Sequence, residues 1–139
     1  MFDVVIANPP YQYKKSPEHK KSTAIWYKFV PVCFDAVKEE GWVAMIHPAG
    51  WRNIDGRFKR TQELIRSKTI HHLNINDVKD GVRVFGASTR FDWWVAQNKA
   101  ANGTKTKIID QDNKTWFRVL DDKEFIPNGM FDEIERLLA

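Results

Sequence analysis

The chain has 139 residues, of which 42% are hydrophobic and 29% are charged, with a mild formal net charge of +4. These values exclude a disordered or fibrous chain and fit a single globular domain. No apolar run approaches the ~20 residues needed to span a bilayer, and the N-terminus lacks the order of a secretory signal. The single cysteine, Cys33, excludes an internal disulfide or a cysteine cluster. We therefore expect a cytoplasmic protein with no membrane partner and no metal.

The charged residues are distributed unevenly along the chain. Residues 1–30 carry five lysines against two acids, and residues 52–68 carry six basic against two acidic residues. The last thirty residues carry eight acids against four bases. A polyanion would therefore approach the first half of the chain more readily than the tail, although such clusters are as often plain solvated faces. The six tryptophans favour an aromatic core, with base stacking or a subunit interface as the alternative.

The chain opens with a predicted buried strand. Residues 2–7 form a nearly continuous apolar run that Asn8-Pro9-Pro10 ends. This pattern predicts a strand buried on both faces, which stops where proline has no amide hydrogen to donate. Residues 12–23 are polar and rich in lysine, which predicts a loop, with Ser22 or Thr23 as the cap of the helix that follows.

An amphipathic helix is predicted next. Over residues 25–37 the apolar residues recur at intervals of three and four, so one face of the helix should cover a core. Pro31 should kink this helix or divide it in two. Gly41 suits the left-handed cap at its C-terminal end. A second buried strand over 42–46 follows directly and is stopped by His47-Pro48.

The rest of the chain alternates between the two kinds of element. The pattern predicts a basic helix over 57–67, a strand over 69–75, a turn at 84–86, a strand over 91–96, short strands over 106–109 and 116–119, and a closing helix over 130–138. Strand, helix, strand, helix, strand, strand is the order of an α/β layer. The predicted fold class is therefore α/β.

Asn8-Pro9-Pro10-Tyr11, at the end of the first predicted strand, suits a site that holds an exocyclic amine. The Asn8 side-chain oxygen and the Pro9 carbonyl can accept the two amino hydrogens, which leaves the nitrogen lone pair free to attack a methyl group. Two prolines fix φ, so both acceptors are positioned before the reaction. Tyr11 offers a flat face to an extruded base, and such stacking is worth about 1–3 kcal/mol per base. On the plainer alternative, Asn8 caps a turn and Tyr11 is a surface aromatic.

This tetrapeptide after an apolar strand resembles the catalytic motif of the S-adenosylmethionine-dependent DNA methyltransferases that modify adenine amino groups, many of them in restriction-modification systems. The resemblance extends over residues 1–98 and includes the segments 40–48 and 84–96. It implies a partial Rossmann-like methyltransferase sheet, with residues 1–98 as the catalytic half. Residues 99–139 would be an extension, either the start of a target-recognition region or a dimerisation segment.

The resemblance also implies an activity and its residues. The activity is methylation of adenine N6 in DNA, with S-adenosylmethionine as the cofactor and with the adenine flipped out of the duplex. Asn8, Pro9, Pro10 and Tyr11 take the catalytic roles given above, with Tyr11 stacking on the base. Phe85 takes the place of a family phenylalanine that packs against the flipped base, although on its own merits Phe85 is a core residue just as often.

The lysines of the predicted loop are candidates for contacts with DNA. A phosphate backbone attracts such side chains without regard to sequence, but a plain solvated loop has the same composition. The candidates for nucleic-acid backbone contacts are Lys14, Lys15, Lys20 and Lys21.

The sequence contains no match to the donor-binding part of such an enzyme. The most similar family members bind the donor at a glycine-rich turn that precedes the Asn-Pro-Pro-Tyr strand, and this sequence has no such turn. Three interpretations remain: a split or decayed methylase, a portion of a longer enzyme, or an inert module that binds nucleic acid or protein. The first two require a donor-binding subunit or an N-terminal half as partner. A truncated sheet would expose an apolar edge, so we also expect a homo-oligomer.

Overall fold

The fold is an α/β sheet with helices packed on it, in a computed structural model that describes residues 1–16, 19–53 and 56–139 and only the backbone within 13–22. Two short 3₁₀ turns occupy Trp26–Lys28 and Ala49–Arg52. The strands are β1 Phe2–Ala7, β2 Gln12–Ser16, β3 His19–Ala24, β4 Val37–Pro48, β5 Lys68–Asn76, β6 Phe91–Ala100, β7 Lys105–Ile109 and β8 Thr115–Val119. The helices are α1 Phe29–Ala36, α2 Lys59–Arg66, α3 Val78–Phe85 and α4 Phe131–Leu138.

Six of these strands form one mixed sheet in the order β1-β4-β6-β5-β7-β8. β1 is parallel to β4 and β5 is parallel to β7, while β6 runs antiparallel to both of its neighbours, β4 and β5. β1, β4, β5 and β7 therefore all run in the same direction. Their C-terminal ends lie along one border of the sheet, which we call the carboxyl edge. β2 and β3 form a separate antiparallel hairpin.

The hydrophobic core lies between one face of the sheet and the helices. α1 packs against β1 and β4, and α2 packs against β5. Alternate residues of the strands point into this core, among them Val43 and Met45 of β4 and Trp94 and Ala96 of β6, all fully or almost fully buried. The α/β fold class predicted from the sequence is confirmed.

The prediction that the first strand is buried on both faces is wrong. Val5 and Ala7 pack against the core, but Phe2, Val4 and Ile6 on the other face are 66%, 52% and 82% exposed. β1 is the edge strand of the sheet, with β4 as its neighbour. The described residues cover neither its outer edge nor the Phe2, Val4 and Ile6 face.

The predicted loop and helix after the first strand are also corrected. Residues 12–23 contain the β2–β3 hairpin, and Thr23 pairs with Tyr13 within it and caps no helix, while the Ser22 side chain lies outside the described part. The helix begins only at Phe29 and has no side-chain cap. Pro31 lies in its first turn, where amide hydrogens have no partner within a helix, so proline is tolerated without a kink.

Gly41 does not cap the helix, because α1 already ends at Ala36 and Gly41 lies inside β4. A Cβ atom at Gly41 would stand 2.8 Å from the Asp3 carbonyl oxygen and 2.6 Å from the Val37 side chain. The glycine therefore permits close contact between β1 and β4. The non-glycine residue beside it, Glu40, takes the left-handed conformation with φ 62°.

The turn predicted at residues 84–86 is the end of a helix, α3, that was not predicted from the sequence. Asp77 caps α3 by accepting from the Asp80 amide, and Asp80 in turn accepts from the Asp77 amide. Gly86, at φ 69°, ends the helix in the left-handed conformation, the usual role of glycine at this position. The other predicted strands and helices are present with bounds shifted by a few residues.

Residues beyond 98 continue the same sheet through β7 and β8. The division at residue 98, and a role of residues 99–139 in target recognition or dimerisation, stay predictions. Over the described ranges, none of the helices has the length and apolar character needed to cross a membrane.

Candidate active site

The Asn8-Pro9-Pro10-Tyr11 segment leaves the sheet at the carboxyl edge, directly after β1. Asn8 and Pro10 are exposed, Pro9 is buried and Tyr11 is half-buried. The Tyr11 carbonyl accepts a hydrogen bond of 3.1 Å from the Ile25 amide, which ties the end of the segment to the start of the helical region. The buried proline and this hydrogen bond fix the backbone, while the Asn8 side chain stays accessible to a ligand.

The structure brings together Tyr11 and Phe85, the two residues that the resemblance assigns to the target base. Their ring centroids are 5.8 Å apart with the planes at 67°, an edge-to-face contact. Phe85 also lies edge-on to Phe91, the first residue of β6, at 5.0 Å. Phe85 is the last residue of α3 and is 37% exposed. The aromatic pair thus lies at the carboxyl edge beside Asn8, although its role toward a base stays a prediction.

This arrangement has no slot between the two rings for a base. A base sandwiched between parallel rings needs planes about 7 Å apart, twice the ~3.5 Å contact distance of carbon atoms. A base sandwiched between the two rings would therefore require one of them to turn aside. Val78 and Val82 of α3 are 39% and 51% exposed, so these two side chains contribute little packing that would oppose a movement of the helix.

The Tyr11 hydroxyl is buried and has no hydrogen-bond partner within the described part of the chain. Burial raises the pKa of Tyr11 to about 12, so the phenol is neutral at physiological pH. Buried polar groups are rarely left unpaired. The hydroxyl therefore has hydrogen-bonding capacity that no described residue uses.

The backbones of the four candidate lysines lie in the β2–β3 hairpin, in which Lys14 pairs with Ser22. The hairpin begins directly after Tyr11 and ends directly before Ile25, so it is adjacent in sequence to the Asn8 to Tyr11 segment. The side chains of Lys14, Lys15, Lys20 and Lys21 lie outside the described part. Their contact with nucleic acid stays a prediction.

Behind the edge lies a buried histidine, His47, that sequence reasoning assigned only to the end of a strand. Its ring is stacked on Trp26 at 4.2 Å, and its Nε2 accepts from the Trp94 indole at 2.7 Å. Because Nε2 accepts, the proton is on Nδ1, which donates to the Pro48 carbonyl at 2.9 Å. Burial lowers the pKa of His47 to about 4. His47 is therefore a neutral structural group that fixes the end of β4.

A second buried polar group, the Asp92 carboxylate, was also missed. Asp92 accepts from Arg52 Nε at 2.6 Å and from the Trp51 indole at 2.8 Å. Arg52 also donates to the Ile126 carbonyl and to the Asn128 side chain. Burial raises the pKa of Asp92, while the Arg52 guanidinium acts in the opposite direction. In the sequence, the only indication of this buried carboxylate was an acidic residue between the aromatic residues of β6.

The class of protein follows from these features and from comparison with known proteins. The six-stranded sheet with its flanking helices is a methyltransferase-type α/β fold. The chain belongs to the Eco57I restriction-modification methylase family, whose model matches residues 1–85. No curated protein matches the chain.

Three solved structures show the likeness of fold. A chain of a type I R-M system, studied for its complex assembly and conformational transition, has 16% identity and a TM-score of 0.53 over 99% of this chain and 29% of that chain. A modification subunit of a putative type I restriction enzyme from Vibrio vulnificus has 16% identity and a TM-score of 0.53. The match covers 98% of this chain and 31% of that subunit. The type I restriction-modification system methyltransferase subunit from Streptococcus thermophilus has 17% identity and a TM-score of 0.55. The match covers 99% of this chain and 30% of that subunit. This chain thus spans less than a third of the length of each.

Proposed function

We propose that this chain is the target-base half of a DNA adenine-N6 methyltransferase, with S-adenosylmethionine as the methyl donor. The observation that carries the proposal is the exposed Asn8 at the tip of β1, next to the Tyr11 and Phe85 aromatic pair. Membership of a restriction-modification methylase family supports it. The type I R-M subunits of similar fold support DNA and other subunits as the partners.

Each residue of the Asn8 to Tyr11 segment has a role in binding a flipped adenine. Asn8 Oδ1 and the Pro9 carbonyl accept the two amino hydrogens and draw them out of the ring plane, which exposes the nitrogen lone pair. Pro9 and Pro10 hold these acceptors in place, so no ordering is required during the reaction. Tyr11 stacks on the base from one side, and its buried hydroxyl, which lies in the ring plane, is free to bond to a bound water. Phe85 turns aside to admit the base and then closes against it.

The donor would supply an electrophilic methyl group, but the described residues do not fit it. Three of the glycines in and beside the sheet and α3 have structural roles of their own. Gly41 lies against β1, a Cβ at Gly81 would collide with the Thr89 carbonyl, and Gly86 ends α3. Within the described part, no glycine-rich turn follows a strand. We therefore assign donor binding to a separate subunit or to a further segment of a longer chain.

The exposed face and outer edge of β1 are where this donor-binding part would attach. Parallel strands with continuous apolar sequences normally have neighbours on both sides and helices on both faces. β1 has such a sequence, yet Phe2, Val4 and Ile6 are exposed and its outer edge is open among the described elements. An apolar edge of this kind invites pairing with another chain. In the absence of the donor-binding part, a second copy would take its place.

The isolated chain is therefore expected to self-associate through β1, and Ile6→Lys should return it to a monomer. A lysine at a position that is 82% exposed is tolerated in the monomer but is unfavourable inside an apolar interface. Light scattering over a range of concentrations measures this. Leu137→Lys is a matched control, because Leu137 is 81% exposed on α4, which packs beside β8 at the opposite border of the sheet. A monomeric wild-type chain at every concentration contradicts the expectation.

Binding of nucleosides to this chain tests the proposed function. Adenosine should perturb the NMR signals of the Asn8 side-chain amide and the Tyr11 ring. N6,N6-dimethyladenosine has no amino hydrogens, and the two lost hydrogen bonds, at about 1 kcal/mol each, should weaken its binding roughly tenfold or more. Equal affinities for the two nucleosides would instead favour a catalytically inert nucleic-acid-binding module. NMR perturbations confined to residues away from Asn8 would also favour the inert module.

A further inference from the structure

A cleft of about 310 Å³ opens at the carboxyl edge, where β4 ends and β6 begins. One wall is the 3₁₀ turn Ala49–Arg52 with Pro48 before it, and the other is the segment 125–128. Arg90, exposed and immediately before β6, also lines the cleft. Among the described residues that line the cleft there is no carboxylate. The charged side chains that line the cleft are both arginines, Arg52 and Arg90.

The first donor is the side-chain amide of Asn128, whose orientation is fixed. Arg52, only 3% exposed, donates from its terminal nitrogen to Asn128 Oδ1 at 2.9 Å. Since the oxygen is held by this bond, the amide nitrogen of Asn128 is directed away from Arg52 and keeps both hydrogens for a ligand. Asn53, exposed on the same cleft, adds a second amide.

The second donor is the Arg90 guanidinium, which also supplies the charge. Its only hydrogen bond to a described residue goes to the Gln111 side chain at 2.9 Å, so four of the five guanidinium hydrogens are free. Arg52 is neutralised by Asp92 at 2.6 Å, whereas Arg90 forms no ion pair within the described ranges. The cleft therefore carries one uncompensated positive charge and suits an anion with several acceptor oxygens.

The position of the cleft indicates which anion this is. Arg90 is followed by Phe91, whose ring contacts Phe85 at 5.0 Å, and Phe85 contacts Tyr11. Pro48, on the wall of the cleft, pairs with Phe91 across β4 and β6. The cleft and the predicted base site thus lie at the same edge of the sheet, on either side of the first residue of β6. A DNA strand that presents a base at Tyr11 would run along this same edge of the sheet.

We infer that the cleft binds a backbone phosphate of the target DNA strand, through Arg90 and the Asn128 amide. This inference rests on the proposed function for the identity of the ligand. Phosphate contacts fix the register of a protein on DNA without reading its sequence. Arg90 would therefore be a positioning residue that holds the strand while the adenine is turned toward Asn8.

The test is the salt dependence of DNA binding by Arg90→Gln, measured by fluorescence anisotropy with a labelled duplex of about 20 base pairs. Loss of one phosphate contact should weaken binding roughly tenfold and lower the slope of log affinity against log salt by about one. Lys99→Gln is the matched control. It removes the same charge at the other end of β6, roughly 30 Å away at ~3.3 Å per residue, and should change neither quantity appreciably.

The inference is overturned if Arg90→Gln and Lys99→Gln behave alike, or if the wild-type chain shows no salt-dependent binding of the duplex. A titration with inorganic phosphate, followed through the Asn128 side-chain amide signals, separates the two sources of this ligand. A shift of these signals without any effect of Arg90→Gln on the duplex identifies a free-phosphate site and also overturns it. Asn8→Ala should leave the salt slope intact. If the wild-type chain does not recognise adenine but Arg90→Gln still lowers the slope, the proposed function alone is removed.

Discussion

Replacing Asn8 with alanine is expected to abolish methyl transfer by the chain once it is combined with its donor-binding part. Asn8 supplies one of two acceptors that orient the amino group, and removal of one preorganised hydrogen-bonding group from an active site typically lowers the rate about 10²- to 10³-fold. The fold should be unaffected, because Asn8 is exposed and surface substitutions usually change stability by no more than about 0.5 kcal/mol. Transfer of a labelled methyl group to DNA measures the rate, and urea unfolding checks the fold.

Two variants sharpen this experiment. Asn8→Asp keeps an acceptor oxygen at the same position and should retain part of the turnover. Asn102→Ala removes an exposed asparagine from the turn before β7 and should leave turnover unchanged. Full activity of Asn8→Ala contradicts the role proposed for the residue.

Replacing Asp92 with alanine should destabilise the protein by about 3–5 kcal/mol, the usual cost of leaving a buried charge without its partner. Asp92 is fully buried and Arg52 is 3% exposed, with Nε and Oδ2 2.6 Å apart. Without the carboxylate, the guanidinium and the Trp51 indole lose their acceptor inside the protein. The free energy of unfolding, from the midpoint and slope of a urea transition, measures the loss.

The matched control is Asp122→Ala, because Asp122 is exposed and its loss should change stability little. The double variant Asp92→Ala with Arg52→Met removes both charges and should recover part of the loss, since an apolar pair leaves no buried ion. A loss below about 1 kcal/mol in Asp92→Ala, the range of an exposed ion pair, would show that the two groups are solvated.

The bounds of several elements were predictable because their signals are local. The apolar run before Asn8-Pro9-Pro10 ends as a strand where the prolines interrupt the ladder. The strands over 69–75 and 91–96 follow from apolar and β-branched residues between polar breaks. α3 carried a readable signal too, since Asp77 and Asp80 form its capping box, but Val84-Phe85-Gly86 was interpreted as a turn.

The burial of β1 was not predictable from its own residues. A continuous apolar run indicates that both faces of a strand suit burial, but whether they are covered depends on what lies beside the strand in space. Phe2, Val4 and Ile6 are therefore apolar and exposed together. The difference between sequence and structure at β1 is itself the reason to expect a partner there.

Of the candidate site, the sequence itself predicted only the residues that are adjacent in the chain. The Asn8 to Tyr11 segment was recognisable from the acceptors and the aromatic face that its residues offer. Phe85 was added by the resemblance to a known family. The contact between Tyr11 and Phe85 spans 74 positions of sequence, the Asp92 bonds to Arg52 and Trp51 span 40 and 41, and no local pattern encodes such distances. His47 likewise depends on Trp26 and Trp94, which reach it from other elements.

The central claim is that two fixed acceptors hold the amino group of an adenine, and NMR of adenosine labelled with ¹⁵N at that group tests it most directly. In free adenosine, rotation of the amino group averages its two hydrogens. Bound at Asn8 and the Pro9 carbonyl, each hydrogen has its own acceptor and rotation is hindered, so we predict two separate proton resonances, which merge again in Asn8→Ala. A single averaged resonance for adenosine bound to the wild-type chain contradicts the claim.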